Sequence, residues 1–274
     1  MARAEMAREI DVPVAGGTLR ALSWPGDGPV VLAAHGITAN ALAWAGVAAA
    51  LRGRVHLVAP DLRGRAGSAK LPGPYGMAAH AADLLAVADH FAVASPTWVG
   101  HSMGAFVVAA TAALHPARVR RALLVDGGVA LPVPPGLDVD AGLHAVIGPA
   151  MARLSMTFGS AGAYTAYFRA NPALGRYWSP MLDAYVLRDF TGAGSSCVIE
   201  AVRSDAADML THPAPAPFPL LWAPRGLMDE EPGLYRPEQL AGVDAELVPG
   251  VNHYTILQGA GAQRVADRIV SLAP

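Results

Sequence analysis

At 274 residues, with 53% hydrophobic and 15% charged side chains and a mean hydropathy of +0.33, the chain is too apolar for intrinsic disorder. It is long enough for two small domains or one large α/β unit with an insertion. Its 20 basic and 22 acidic residues give a net charge of -2 with no Lys/Arg cluster, which argues against a nucleic-acid partner. Cys197 is the only cysteine, so no internal disulfide or cysteine-based metal site is expected. With no signal-like N-terminus and no apolar run near about 20 residues, the sequence is expected to belong to a cytoplasmic protein without membrane association.

Segments around Glu9 to Val14 and Thr18 to Trp24 alternate weakly about Gly16-Gly17 and predict an antiparallel hairpin. The texture then changes. Short apolar runs at Pro29 to Ala34, Val55 to Ala59, Pro96 to Val99 and Arg121 to Val125 predict strands buried on both faces. Between them, Asn40 to Leu51, Tyr75 to Phe91 and Ser102 to Leu114 have helical texture. This alternation predicts a doubly wound, mostly parallel sheet with its ligand site at the carboxyl ends of the strands.

After Asp126 the pattern stops. Gly127-Gly128 and a Pro-rich turn at Pro132, Pro134 and Pro135 lead into helical stretches near Gly142 to Thr157, Ala161 to Arg169, Met181 to Phe190 and Val198 to Leu210. A second Pro-rich segment, His212 to Pro219, precedes strands at Leu220 to Ala223 and Ala245 to Val248 and a last helix from Gly261 to Leu272. The expected organisation is an α/β core from residues 1–128 and 213–274, carrying an inserted helical cap over residues 129–212.

Gly100-His101-Ser102-Met103-Gly104 matches G-x-S-x-G between a predicted strand and a predicted helix. Flanking glycines permit a sharp turn that lifts the Ser102 hydroxyl above the sheet and leaves the Met103 amide at a helix start, as nucleophile and oxyanion donor. The loop His35-Gly36-Ile37-Thr38 follows a neighbouring strand. Ile37 is the candidate second oxyanion donor there. His35 is a candidate substrate-binding residue, its ring buttressing the loop rather than reacting. A serine needs a base, and of nine histidines His253, in Val251-Asn-His-Tyr254 between the last strand and the last helix, lies at the right edge. The carboxylate that orients it has two candidates: Asp126, after the strand Ala122 to Val125, and Asp229, in the acidic loop after Leu220 to Ala223.

These residues, with Asp61-Leu-Arg-Gly64, resemble the α/β-hydrolase fold superfamily of serine hydrolases, over nearly the whole chain. The resemblance implies the order Ser, Asp, His. It commonly places the acid near Asp229, but a gapless reading puts Gly226 there, whereas other members carry it one strand earlier, where Asp126 stands; Asp126 is preferred. Asp61 and Arg63 resemble a structural loop of the superfamily. Serine rather than aspartate in the elbow argues against the dehalogenase and epoxide-hydrolase branches.

The expected function is hydrolysis of a small-molecule ester, lactone or thioester through an acyl-serine, without metal or organic cofactor. Alternatives are carbon-carbon bond hydrolysis or cofactor-free perhydrolysis by the same triad, or a non-catalytic small-molecule receptor. The aromatic residues of the cap, Phe168 and Trp178 among them, are expected to wall the substrate pocket.

Overall fold

The computed structural model describes residues 7–131, 136, 138–211 and 217–273. Eight strands form one sheet: β1 (Arg8–Val14), β2 (Gly17–Trp24), β3 (Val30–Ala34), β4 (His56–Pro60), β5 (Thr97–His101), β6 (Arg121–Val125), β7 (Leu220–Trp222) and β8 (Ala245–Leu247). Their order is β1-β2-β4-β3-β5-β6-β7-β8. The β1-β2 hairpin joins β4 antiparallel through β2, and every pairing from β4 to β8 is parallel.

Strand period decides how the central strands are buried. In β3, Val31 and Ala33 face one side of the sheet while Leu32 and Ala34 face the other, and all four are buried. The side with Val31, Ala33, Val99 and Leu123 packs against α1 (Ala45–Leu51) and the carboxyl-terminal helix. The other side, with Leu32, Trp98 and Leu124, packs against α2 (Met77–His90) and α3 (Met103–Leu114). Both faces of the central strands are therefore dry, and the open ends of the parallel strands are left for the site.

The chain between β6 and β7 is helical: α4 (Val139–Leu154), α5 (Ala161–Arg169), α6 (Pro172–Gly175), α7 (Pro180–Asp189) and α8 (Ile199–Thr211). Asp138, Ser160, Asn171 and Ser179 cap the first four of these with side-chain oxygens, and Pro172 and Pro180 occupy first-turn positions. Periodicity missed α6, which is only one turn long; Asn171-Pro172 was its signal. Pro149 lies inside α4, where Ile147 leaves helical geometry and the helix kinks. Among the described residues the insertion has no strand beyond an isolated bridge between Phe190 and Ser195. The Pro-rich residues 132–135 and 212–216 lie outside the described residues. The last helix, α9 (Gly259–Leu272), closes the fold.

Two ion pairs, each with a buried carboxylate, fasten this cap to the core. Arg188 of α7 meets Asp61 at 2.7 Å and Arg65 meets Asp205 of α8 at 2.5 Å. Asp61 also accepts the amides of Ala41 and Gly67, which gives it the bracing role expected of its loop.

Candidate active site

Ser102 sits between β5 and α3 with φ 55° and ψ -125°, a conformation costly for any residue with a Cβ. The glycines around it make the turn possible. A Cβ on Gly100 would lie 2.2 Å from the Gly104 carbonyl oxygen, and one on Gly104 would lie 2.1 Å from that of Ala34. The Ser102 amide donates to the Val125 carbonyl at 2.9 Å, tying the elbow to the end of β6. Met103 is the first residue of α3, where an amide has no intrahelical acceptor. Ile37, Ser102, Met103 and His253 all line one cavity of about 180 Å³.

His253 and Asp126 meet at the carboxyl edge of the sheet. Nδ1 of His253 lies 2.6 Å from Oδ2 of Asp126, and both side chains are buried. Asp126 follows β6 at φ 43°, its amide donating to the Leu221 carbonyl at 2.7 Å and its Oδ1 accepting the Ala223 amide at 3.1 Å. The carboxylate is thus held from two sides. With Nδ1-H donating to it, Nε2 keeps its lone pair and is the basic nitrogen.

Asp229 is elsewhere occupied. It lies 3.2 Å from Arg225, pairs with Arg176 of the cap, and accepts Nδ2 of Asn252 at 2.9 Å. Asn252 in turn donates to Ala173 at 3.0 Å and accepts the Tyr254 and Thr255 amides, so this cluster shapes the loop that presents His253.

His35 corrects the expectation of a substrate contact: its ring is fully buried and the cavity lining does not include it. Nδ1-H donates to Gly36 at 2.8 Å and Nε2 accepts the Leu62 amide at 2.9 Å, so the imidazole pins two loops together. Burial pushes it down to about 3, and it is neutral. Trp178 is a second correction. It packs in the cap's own aromatic cluster, with the Arg169 guanidinium 4.8 Å above its ring, while Phe168 does line the cavity.

Two residues that the sequence left without a role touch the machinery. Arg65, fully buried, donates from Nε to the Ile37 carbonyl at 3.0 Å and from Nη1 to that of Arg63 at 2.8 Å. His101 donates from Nε2 to the His253 carbonyl at 2.8 Å, with ring centroids 4.7 Å apart. Burial holds the His101 imidazole well below its ordinary range, so it is neutral too. Spacing alone could flag only His101, through its place in the elbow.

The sheet, the serine elbow and the helical cap define a hydrolase-type fold. The sequence profile of the alpha/beta hydrolase fold matches residues 29–189, and the chain belongs to that family. An uncharacterised protein of Mycobacterium tuberculosis is 41% identical over 115 residues, 41% of this chain and 33% of that protein. A putative carbamate hydrolase of Caulobacter segnis is 35% identical over 107 residues, 38% of this chain and 40% of that protein. The chain thus aligns with well under two thirds of either relative. The crystal structure of E-2-(acetamidomethylene)succinate hydrolase superposes with a TM-score of 0.74 over 97% of this chain and 99% of that one, at 21% identity, a likeness of fold.

Proposed function

We propose that the protein is a serine hydrolase that cleaves a carboxylic ester, lactone or thioester of a small apolar substrate through an acyl-serine intermediate. The carrying observation is the 2.6 Å pairing of His253 with Asp126 beside a cavity shared with Ser102 on its strained elbow. Nε2 of His253 takes the Ser102 proton as Oγ attacks the carbonyl carbon. The resulting oxyanion is met by the Ile37 and Met103 amides. Collapse of the tetrahedral intermediate breaks the bond to the leaving oxygen or sulfur, to which His253 returns the proton. Water, deprotonated by His253, then releases the acid and restores Ser102. Asp126 holds the ring in the required tautomer and stabilises the imidazolium.

A panel of aryl esters, lactones and thioesters, together with fluorophosphonate labelling, tests this reading. Turnover with labelling at Ser102 is the expected result. Ser102→Ala should lower kcat by roughly 10³ to 10⁶ without loss of fold. A variant retaining more than about a tenth of wild-type kcat would falsify the acyl-serine mechanism.

A further inference from the structure

The cavity beside Ser102 is mostly aliphatic and aromatic, yet its cap side carries a buried cation. Arg153 of α4 lines it with its side chain 3% exposed. Its Nη1 reaches Asp189 at 2.5 Å and the Tyr164 hydroxyl at 2.5 Å, and its guanidinium lies 4.9 Å above the ring of Phe168, itself a cavity residue. Asp189 hardly lacks donors, since the hydroxyls of Tyr164, Ser195 and Ser196 all reach it.

Two phenols line the same cavity. Tyr185 comes from α7, its carbonyl fixed by Asn40 Nδ2 at 2.9 Å, and Tyr254 follows His253, with ring centroids 5.8 Å apart. Among the described residues neither hydroxyl has a hydrogen-bond partner, whereas the cavity's third tyrosine, Tyr167, donates to Pro149 at 2.9 Å. Burial pushes the Tyr254 phenol up to about 12 and Tyr185 higher still, so both are protonated donors at neutral pH. Neither is among the buried unpartnered polar atoms, so both hydroxyls are accessible from the cavity and can donate to a ligand oxygen.

We infer that Arg153, Tyr185 and Tyr254 form a second polar subsite in the cavity that takes a neutral carbonyl oxygen of the substrate other than the one attacked by Ser102. The assignment rests on the acyl-serine reading and names the substrate class as apolar acyl compounds bearing a second carbonyl. A neutral oxygen is favoured over a carboxylate because the charge of Arg153 is already matched by Asp189, and Asp126 adds another carboxylate near the cavity. A further buried anion would stand without a countercharge.

The test compares kcat/KM for three aryl esters: hexanoate, the oxohexanoate with a ketone at the penultimate carbon, and the glutarate monoester. The oxo ester should exceed hexanoate by roughly tenfold and glutarate should not exceed the oxo ester. Tyr185→Phe and Tyr254→Phe, which delete only hydroxyls, should each bring the oxo-to-hexanoate ratio toward one, whereas lost packing would lower both esters alike. A wild-type ratio near one, a ratio unmoved by both variants, or a preference for glutarate overturns the neutral-carbonyl subsite. If no ester turns over and fluorophosphonate leaves Ser102 unlabelled, the hydrolase reading fails. Whenever no ester turns over, labelled or not, the subsite is judged by the affinities of the hexanoyl and oxohexanoyl anilides, where equal binding overturns it and tighter oxo binding supports it.

Discussion

The Nε of Arg65 lies 3.0 Å from the carbonyl oxygen of Ile37, so a fully buried guanidinium braces the loop that carries the candidate second oxyanion donor. The same guanidinium reaches the sulfur of Met103 at 3.9 Å and pairs with Asp205 of the cap at 2.5 Å. Both candidate oxyanion residues and one cap helix therefore converge on a single cation. Asp205 also takes His80 at 2.9 Å and the Gly76 amide at 2.7 Å, which keeps the carboxylate in place.

Arg65 is accordingly a positioning residue. Arg65→Met should lower kcat by about 10² with a much smaller effect on KM, because a misplaced amide weakens the transition state more than the bound ester. It should also lower stability by up to about 3 kcal/mol, since buried Asp205 would lose its guanidinium and keep only His80 and the Gly76 amide. Adding Asp205→Asn separates the two effects. The double variant should regain most of the stability and little of the kcat; full recovery of both in urea melts and steady-state kinetics would reduce Arg65 to a structural ion pair.

The two candidate acids should behave unequally. Asp126→Asn leaves His253 free to adopt the wrong tautomer and should cost about 10⁴ in kcat. Asp229→Asn keeps the bond to Asn252 feasible while weakening the contacts with Arg176 and Arg225, and should cost less than about tenfold. Kinetics of the purified variants decide it, and a larger loss for Asp229→Asn would reverse the assignment.

How much of this was legible beforehand follows from where the information resides. The sheet was readable because β3, β5 and β6 are short apolar runs buried on both faces, and Ser102 because two glycines and a strand-helix junction leave few alternatives. The acid was open between Asp126 and Asp229 because both end loops at the same edge of the sheet; the arginines that occupy Asp229 come from residues 176 and 225, and the first belongs to the cap. Arg65 was invisible for the same reason, its partners lying at residues 37 and 205. Trp178 was misplaced because an aromatic residue in a cap helix fits a cavity wall and a cap core equally well, and only tertiary packing chooses between them.

Acid should unfold the protein through its buried neutral histidines before it reaches the carboxylates. In the folded chain burial holds His35 at about 3 against an ordinary value of 6.5, and His101 is depressed as well. Between those values the unfolded chain binds the extra proton, so stability is complete above about 6.5 and declines as pH falls toward 3. By pH 5 His35 alone should account for a loss of about 2 kcal/mol. The carboxylates act later. Against burial, Arg153 holds Asp189 low, and Arg65 and His80 do the same for Asp205, so their stabilisation is present above about 4 and is lost only as pH falls below it. Urea midpoints at pH 7, 6 and 5 should therefore fall steadily, and His35→Gln, which keeps an acceptor for the Leu62 amide and cannot charge, should be less stable at pH 7 yet flatter in its decline. A wild-type midpoint constant across that range, or a variant with an unchanged slope, would mean that His35 is free to take a proton in the folded state and that its pinning of the loop carrying Ile37 is looser than its 2.8 and 2.9 Å contacts imply.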